Sequence, residues 1–221
     1  MEYGKYTFLI KLDEDAFLPC YKGSTFRGLF GHALRRVVCA LKNQECASCI
    51  LRSSCTYALV FETASAVSLP EGARISAPPH PVVIEPPMTE KREFYKGDTM
   101  ECTLLLFGKI NRNLPYFVYA FDQMGKIGMG KKIKGKRSKF TLERVSSENE
   151  LLYSKETKKI KFPDQNKQLN WGSRESVSDM DKWVPDITGS VANPAGSVPA
   201  KGETAMEMKI QFKTPLRIKM D

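Results

Sequence analysis

Four cysteines with a spacing suited to metal binding lie in the N-terminal part of this 221-residue chain. Cys39, Cys46, Cys49 and Cys55 follow the pattern C-x6-C-x2-C-x5-C, and the short polar runs between them cannot build a core. Four thiolates in such a segment can fill the tetrahedral coordination sphere of Zn²⁺, with an iron–sulfur cluster or unpaired thiols as the alternatives. We predict a structural zinc site. Because four protein ligands leave no open position, we predict no catalytic metal.

A histidine is the second candidate for chemistry. His32 lies near Arg35 in a segment with helical periodicity, and the only other histidine, His80, lies in a proline-rich stretch. An imidazole that faces phosphates can remove the proton from a ribose 2′-hydroxyl or protonate a leaving 5′-oxygen without a metal. We therefore take His32 as the candidate catalytic residue, with an ordinary surface histidine as the alternative.

A glycine-rich basic segment, GKIGMGKKIKGKRSKF from Gly125 to Phe140, holds most of the net charge of +9 and has no acidic residue. Glycine lets a backbone approach a ligand closely, and lysine neutralises phosphate. We predict a flexible loop that contacts RNA phosphates, with a merely solvated loop as the alternative. The predicted contacts are Lys126, Lys131, Lys132, Lys134, Lys136, Arg137 and Lys139. A nucleotide-hydrolysing P-loop is rejected, because Lys132 stands where Ser or Thr must bind magnesium.

The elements that must position these residues follow from hydrophobic periodicity. Residues 6–12 alternate as a strand with one buried face, and residues 99–107 form a second clear strand. A helix capped by Ser24 extends to Leu41, and a second helix begins after Asn113 and ends at Gly125. Weaker strands are predicted at 82–84 and 139–145, and a short charged hairpin at 151–162.

The first of these helices has one apolar and one polar face. Its apolar stripe centres near Ala33 and Val37, which places His32 and Arg35 on the opposite, exposed side. Other residues of that side are Gly28, Cys39 and Lys42. Gly28 and Gly31 each cost a helix about 1 kcal/mol relative to alanine, so we expect an RNA strand or the basic loop to lie against them. Arg35 is also a predicted RNA contact, as are Arg27 and Lys22 near the start of the helix. Tyr116 and Tyr119 are candidates for base stacking or for covering the edge of the core.

The element order is strand, helix, strand, strand, helix, strand. This order predicts an α+β, ferredoxin-like fold (split βαβ, RRM-like) over residues 1–146, with a Cys-rich insert at 39–62. Residues 147–203 are predicted to form a hairpin and a flexible connection. Residues 204–221 alternate again and are predicted to be the first strand of a truncated second domain.

Composition limits the class of protein. With 42% hydrophobic residues, the chain can bury one good core. It lacks an apolar run of the ~20 residues that a membrane helix needs, and its N-terminus lacks the layout of a secretory signal. We therefore predict a cytoplasmic protein that does not bind membranes and whose cysteines are thiols or metal ligands.

A resemblance to the CRISPR-associated repeat-processing endoribonucleases of the RAMP superfamily is carried by three segments, YKGSTFRGLFGHALRRVVC, CASCILRSSCTYALVFE and LLLFGKINRNLPYFVYAFDQMGKIGMG. GSTFRG resembles the start of the first helix in RAMP domains, and the segment 125–140 resembles their glycine-rich loop. The Cys-rich insert points to one subgroup. The resemblance covers about two thirds of the chain.

This resemblance implies a pair of ferredoxin-like domains that binds CRISPR repeat RNA and cuts it without a metal. The products would carry 5′-hydroxyl and 2′,3′-cyclic phosphate ends, and His32 is the position here that could serve as general acid or base. MEMKIQFKTPLRIK, at the end of the chain, resembles the first strand of the second domain. The alternative is a non-catalytic RNA-binding scaffold subunit that associates with other CRISPR-associated proteins. A zinc-dependent enzyme is disfavoured, since the metal would have no open position.

Overall fold

A computed structural model describes residues 2–42, 44–133, 135–148, 150–163 and 167–168, which fall in a unit that spans Met1–Leu169. The predicted connection beyond residue 168 and the predicted strand at 204–221 lie outside the described residues. In chain order the elements are β1 (Glu2–Leu12), β2 (Ala16–Phe17), α1 (Gly23–Val38), α2 (Thr56–Phe61), α3 (Thr63–Ala66), β3 (Val82–Glu85), β4 (Glu93–Phe94), β5 (Thr99–Phe107), α4 (Leu114–Ile127), β6 (Met129–Ile133), β7 (Lys136–Ser138), β8 (Phe140–Ser147), β9 (Glu150–Ser154) and β10 (Lys167–Gln168).

The main sheet has the order β3-β5-β1-β8-β9, with β10 also paired to β1, and all its pairs are antiparallel. The main elements follow one another along the chain as β1-α1-β3-β5-α4-β8. Of these four strands, β1 and β5 lie in the centre, with β3 and β8 outside them. This is the split βαβ arrangement, and it confirms the predicted α+β, ferredoxin-like fold. Among the described helices, none has both the length and the apolar character that a bilayer crossing needs.

The two long helices cover one face of this sheet. Tyr6, Phe8, Ile10 and Leu12 of β1 are at most 1% exposed, as the alternating pattern predicts. The ring of Phe8 stacks on that of Phe121 in α4, with 4.2 Å between the ring centroids. The helices therefore sit on the side of the sheet where β1 presents its large apolar side chains.

The helix ends differ from the sequence prediction. α1 ends at Val38, because Cys39 is extended at φ −77° and ψ 111°, and the predicted cap Ser24 lies inside the helix. α4 continues past Gly125 to Ile127 and ends at Gly128, where φ is +81°. Gly125 instead allows a close approach, since a Cβ there would collide with the backbone carbonyl of Phe140 in β8.

The glycine-rich basic segment is the main correction to the predicted fold. It forms the β6–β7 hairpin rather than a flexible loop. Both strands are anchored, because Met129 is 1% exposed and Ser138 donates a hydrogen bond from Oγ to the carbonyl of Asp15 at 2.5 Å. Gly130 has φ +79°, and a Cβ there would lie 2.6 Å from the carbonyl oxygen of Phe17. Glycine thus lets the hairpin pack closely against β2.

Lys22, predicted as a phosphate contact, is fully buried. Its Nζ donates hydrogen bonds to the carbonyl oxygens of Cys20 at 3.0 Å, Thr89 at 2.6 Å and Pro19 at 3.3 Å. The ammonium therefore ties the segment before α1 to the loop before β4, and it has no phosphate-binding role. The sequence around Lys22 did not indicate this buried role, because the acceptor at Thr89 lies 67 residues away.

Replacing Lys22 with methionine keeps a long apolar stem but removes the donor, and we expect Lys22→Met to lower the free energy of unfolding by about 1–3 kcal/mol. The matched control is Lys11→Met, at an exposed position on β1, with an expected change within about 0.5 kcal/mol. Urea unfolding of both variants measures the difference. Equal stability of the two variants would contradict the assigned role of Lys22.

Candidate nucleic-acid interface

The candidate site is built on the exposed face of α1. Gly28, His32 and Arg35 are exposed, whereas Phe26, Phe30 and other apolar residues of the helix are buried. This division confirms the two faces predicted from the sequence. Residues four apart lie one turn apart on the same side of a helix, so Gly28 and His32 are neighbours at about 6 Å. The exposed face is therefore a continuous stripe along the helix.

A cavity of about 600 Å³, which we call the His32 cavity, lies along the second half of this stripe. It is formed by α1, the residues that follow α1, and two side chains of α4. Its lining residues are His32, Arg35, Arg36, Val37, Cys39, Lys42, Tyr119 and Gln123. Three cations and an imidazole thus meet an exposed tyrosine ring, and no described carboxylate belongs to the lining. Such a lining suits a phosphate and an aromatic base.

A second cavity of about 460 Å³, which we call the hairpin cavity, lies at the start of the same helix. Its floor is apolar, and the β6–β7 hairpin forms one wall. Its lining residues are Phe17, Pro19, Ser24, Thr25, Gly28, Leu29, Arg92, Met129, Gly130, Lys131 and Arg137. Arg92, Lys131 and Arg137 are its three cations, and Ser24 and Thr25 supply hydroxyl groups. Asp and Glu of the described ranges do not contribute to this lining either.

Gly28 and Gly31 have different surroundings, although both were expected to lie under RNA or the basic loop. A Cβ on Gly28 would meet no atom within 4 Å, so this glycine leaves an open surface between the two cavities. A Cβ on Gly31 would lie 3.1 Å from the ring of Phe61 in α2. Gly31 is therefore explained by packing inside the protein, and only Gly28 remains part of the open face.

The predicted basic residues divide into those that line a cavity and those that do not. Lys131, Arg137 and Arg35 line one. Lys132 and Lys136 are exposed elsewhere on the hairpin, and Lys134 lies outside the described residues. The structure therefore places only part of the predicted phosphate-contacting residues at a cavity.

Three other predicted cations have contacts of their own. Arg27 lies over the ring of Phe61, 5.1 Å from its centroid. Lys126 forms an ion pair with Asp122 at 2.7 Å, and this hydrogen bond raises the pKa of Lys126. Lys139 is exposed, and its backbone N–H donates to Glu14 Oε2 at 3.1 Å. These three residues lie outside both cavities.

Several lining residues were missed by sequence reasoning. Arg36 was not singled out, although its i+4 spacing from His32 was an available signal, and Lys42 was placed on the exposed side of the helix but not among the phosphate contacts. Arg92 has no such signal, because it reaches the hairpin cavity from the loop before β4 and lies over the ring of Phe17 at 5.4 Å. Ser24 had been assigned as a helix cap.

The four predicted metal ligands lie near one another between α1 and α2. Cys39, Cys49 and Cys55 line a cavity of about 470 Å³, which we call the cysteine cavity. Burial raises the pKa of the Cys46 thiol, Arg35 lowers it, and Glu62, Cys55 and Cys39 raise it further. Among the described residues, no group of three or more Cys, His, Asp or Glu side chains is arranged to hold a metal ion as it stands.

His80 does not belong to either basic cavity. Its Nδ1 lies 2.7 Å from Oγ1 of Thr63 in α3, which places it beside the short helices of the insert. His32 is therefore the only histidine of the chain that lines a basic cavity.

Comparisons with known proteins give one family and two more distant similarities. An uncharacterized protein of Archaeoglobus fulgidus is 27% identical over 112 residues, which cover 51% of this chain. The match spans 37% of that relative's length. A chain of the Csm3–Csm4 subcomplex of the type III-A CRISPR-Cas interference complex is 13% identical, with a TM-score of 0.42, over 82% of this chain and 97% of that chain.

The family AF_1859_N, described as an N-terminal domain, matches residues 1–165 of the 221. This range includes α1, the cysteines, the β6–β7 hairpin and both basic cavities. The chain belongs to the AF_1859_N family, and the candidate interface lies within the domain that defines it.

Proposed function

We propose that this chain binds single-stranded RNA along the exposed face of α1, as an RNA-binding subunit of the CRISPR-associated RAMP type. The observation that carries the proposal is the segregation of charge at the two cavities. Among the residues that the structure describes, their linings contain six cations and no carboxylate. Surfaces of this kind attract the phosphate backbone of a nucleic acid.

No carboxylate of the described residues forms an ion pair with a cation of either cavity. In the described part of the chain, the ion pairs are Lys91–Asp98, Lys126–Asp122 and Lys155–Glu143. None of these residues lines a basic cavity. A phosphate that enters either cavity therefore does not have to displace a carboxylate of the described residues, which favours binding.

The extent of the face favours a chain-like ligand. Gly28 lines the hairpin cavity and His32, one helical turn further along α1, lines the His32 cavity, so the two cavities follow each other along one exposed face of the helix. A mononucleotide would fill only one of them. Tyr119, which is 53% exposed, adds an aromatic ring of the kind that stacks on unpaired bases.

The link to CRISPR RNA comes from where the resembling motifs lie. GSTFRG contributes Ser24, Thr25 and Gly28 to one wall of the hairpin cavity, and the glycine-rich segment contributes Gly130 and Lys131 to the other. The two motifs that resemble RAMP proteins thus face each other across one cavity. CRISPR repeat RNA and other CRISPR-associated proteins are accordingly the proposed partners, in the cytoplasm.

Endoribonucleolytic cleavage within repeats is a second candidate, favoured by the exposed His32, which lines one cavity together with Arg35 and Arg36. In that reaction the 2′-oxygen attacks phosphorus, the 5′-oxygen leaves and takes a proton, and a 2′,3′-cyclic phosphate forms. The reaction needs one proton removed and one delivered. The described lining of the His32 cavity holds one imidazole for these two transfers, whereas each of the two cavities holds three cations for phosphate, so binding is the better-supported function.

Charge reversal on the hairpin tests the binding proposal. We expect Lys131→Glu/Arg137→Glu to weaken binding of single-stranded repeat RNA at least tenfold and to reduce the salt dependence by about two phosphate contacts. The control is Lys132→Glu/Lys136→Glu, which changes the net charge equally on exposed residues outside the cavity. Fluorescence anisotropy at two salt concentrations gives both quantities. Equal losses in the two double variants would show that the cavity has no special role.

Gly28 gives an independent test, because its side of the helix is open. We expect Gly28→Leu to leave the fold intact and to stabilise α1 by roughly 0.5–1 kcal/mol. The side chain would fill the surface between the cavities, so RNA affinity should fall. Gly31→Ala is the control, since its Cβ meets Phe61 and should reduce stability with little effect on affinity. Thermal unfolding and RNA titration separate the two effects, and unchanged RNA affinity in Gly28→Leu would contradict a continuous face.

The cleavage candidate is tested with His32→Ala on 5′-labelled repeat RNA. If His32 transfers protons, the cleavage rate falls by roughly 100-fold or more while the affinity changes little. Gel analysis of the products, with the 2′-deoxy substrate as control, measures both steps. Full cleavage by His32→Ala would remove this residue from the reaction, and no cleavage by the unaltered chain would leave binding alone.

A further inference from the structure

The segment between α1 and α2 has almost nothing to hold it except its cysteines. Of the described residues from 40 to 54, none is buried, and the least exposed are Gln44, Cys46 and Cys49. Ile50 is 82% exposed. Its side-chain hydrogen bonds are local, such as Arg52 Nη1 to the carbonyl of Ala47 at 2.7 Å. Two of the thiols, those of Cys46 and Cys49, are therefore among the least exposed side chains of a segment whose described residues include no buried one.

The four cysteines are placed by the ends of regular elements. Cys39 follows α1 directly, and Cys55 directly precedes α2. Cys46 and Cys49 bracket a single 3-10 turn, in which the N–H of Cys49 donates to the carbonyl of Cys46 at 3.2 Å. A turn of this kind between two cysteines three residues apart brings both thiols to one side of the chain. Two of the thiols thus come from the turn, one from the residue after α1 and one from the residue before α2.

The surroundings suit a bound group with several thiolate ligands. Cys39, Cys49 and Cys55 share the cysteine cavity, and all six cysteines of the chain are unpaired. Four thiolates around a divalent ion leave two net negative charges. Arg35, Arg36 and Lys42 line the His32 cavity together with Cys39. Their positive charges can offset the net negative charge of the four thiolates and the ion.

We propose that Cys39, Cys46, Cys49 and Cys55 bind one structural Zn²⁺ ion, and that the ion positions the rim of the His32 cavity. Binding must draw the thiols closer together, since they are neighbours that do not yet converge. Zinc fits because thiolates are its preferred structural ligands, and because metal binding organises short segments that cannot fold alone. With all four positions filled, the ion takes no part in a reaction.

The ion would act on the rim through two residues. Cys39 lines both the cysteine cavity and the His32 cavity, so fixing its sulfur fixes the end of α1. Cys55 directly precedes α2, whose Tyr57 ring lies 5.7 Å from the guanidinium of Arg35. This inference does not require RNA binding, and it can hold or fail separately from the proposed function.

The test measures metal and local order without RNA. We expect about one zinc per chain by elemental analysis, and near zero in Cys46→Ser/Cys49→Ser. The control Cys20→Ser, at an exposed cysteine outside the segment, should keep the full zinc content. Replacement by Co²⁺ should give the visible absorption of a tetrahedral thiolate complex.

A measurement on the unaltered chain covers the case in which the cysteine variants fail to fold. Removal of the metal with a chelator should speed hydrogen exchange in residues 39–57, and added zinc should restore the slow rate. Three results would overturn the proposal: a chain that neither retains nor takes up zinc, a molecular mass that shows disulfides within the four, or identical exchange with and without the metal.

Discussion

The packing of one aromatic ring determines which side of α1 faces outward. Phe30 lies 5.4 Å from Phe121 and 5.7 Å from Phe117 in α4, and 5.9 Å from Phe61 in α2, measured between ring centroids. Phe121 in turn stacks on Phe8 of the central strand. Because successive residues of a helix are 100° apart, a small rotation of α1 would remove these contacts. The rotation of the helix is thereby fixed, and the opposite face must be exposed.

The same ring links the sheet, both long helices and the cysteine insert. Phe61 belongs to α2, and its ring fills the space that Gly31 leaves open on α1. The insert is therefore packed onto the helix that carries the candidate interface. An ion bound by the cysteines would act on the end of the same helix. The fold, the interface and the proposed metal site thus depend on one contact region.

Elements whose stability comes from local pattern could be predicted from the sequence. β5 has the predicted bounds, and α1 has the predicted buried and exposed faces, because periodicity of two and of 3.6 residues reports burial directly. The Gly125–Phe140 segment was predicted wrongly, since its order comes from distant contacts. Gly130 meets the carbonyl of Phe17, and Ser138 donates to that of Asp15, and neither contact has a local sequence signal.

The candidate site shows the same limit. His32 and Arg35 could be placed from the helical period alone, whereas Arg92 reaches the hairpin cavity through tertiary packing. Lys22 shows the reverse error, because a lysine near a basic surface was expected to bind phosphate and instead binds three carbonyls inside the protein. Charge in the sequence therefore predicts a basic protein, and only the fold decides which cations can reach a ligand.

The open face of the sheet is the main rival for RNA binding, since sheets of this topology can stack bases on aromatic residues. On that face Tyr3 and Phe107 stack with 6.4 Å between ring centroids.

The most direct test is photo-crosslinking of 4-thiouridine-labelled RNA, followed by mass spectrometry of the linked peptides. Crosslinks in residues 24–36, at Tyr119 and in the β6–β7 hairpin are the predicted result. Crosslinks confined to Tyr3, Phe107 and their neighbours on the sheet would contradict the account.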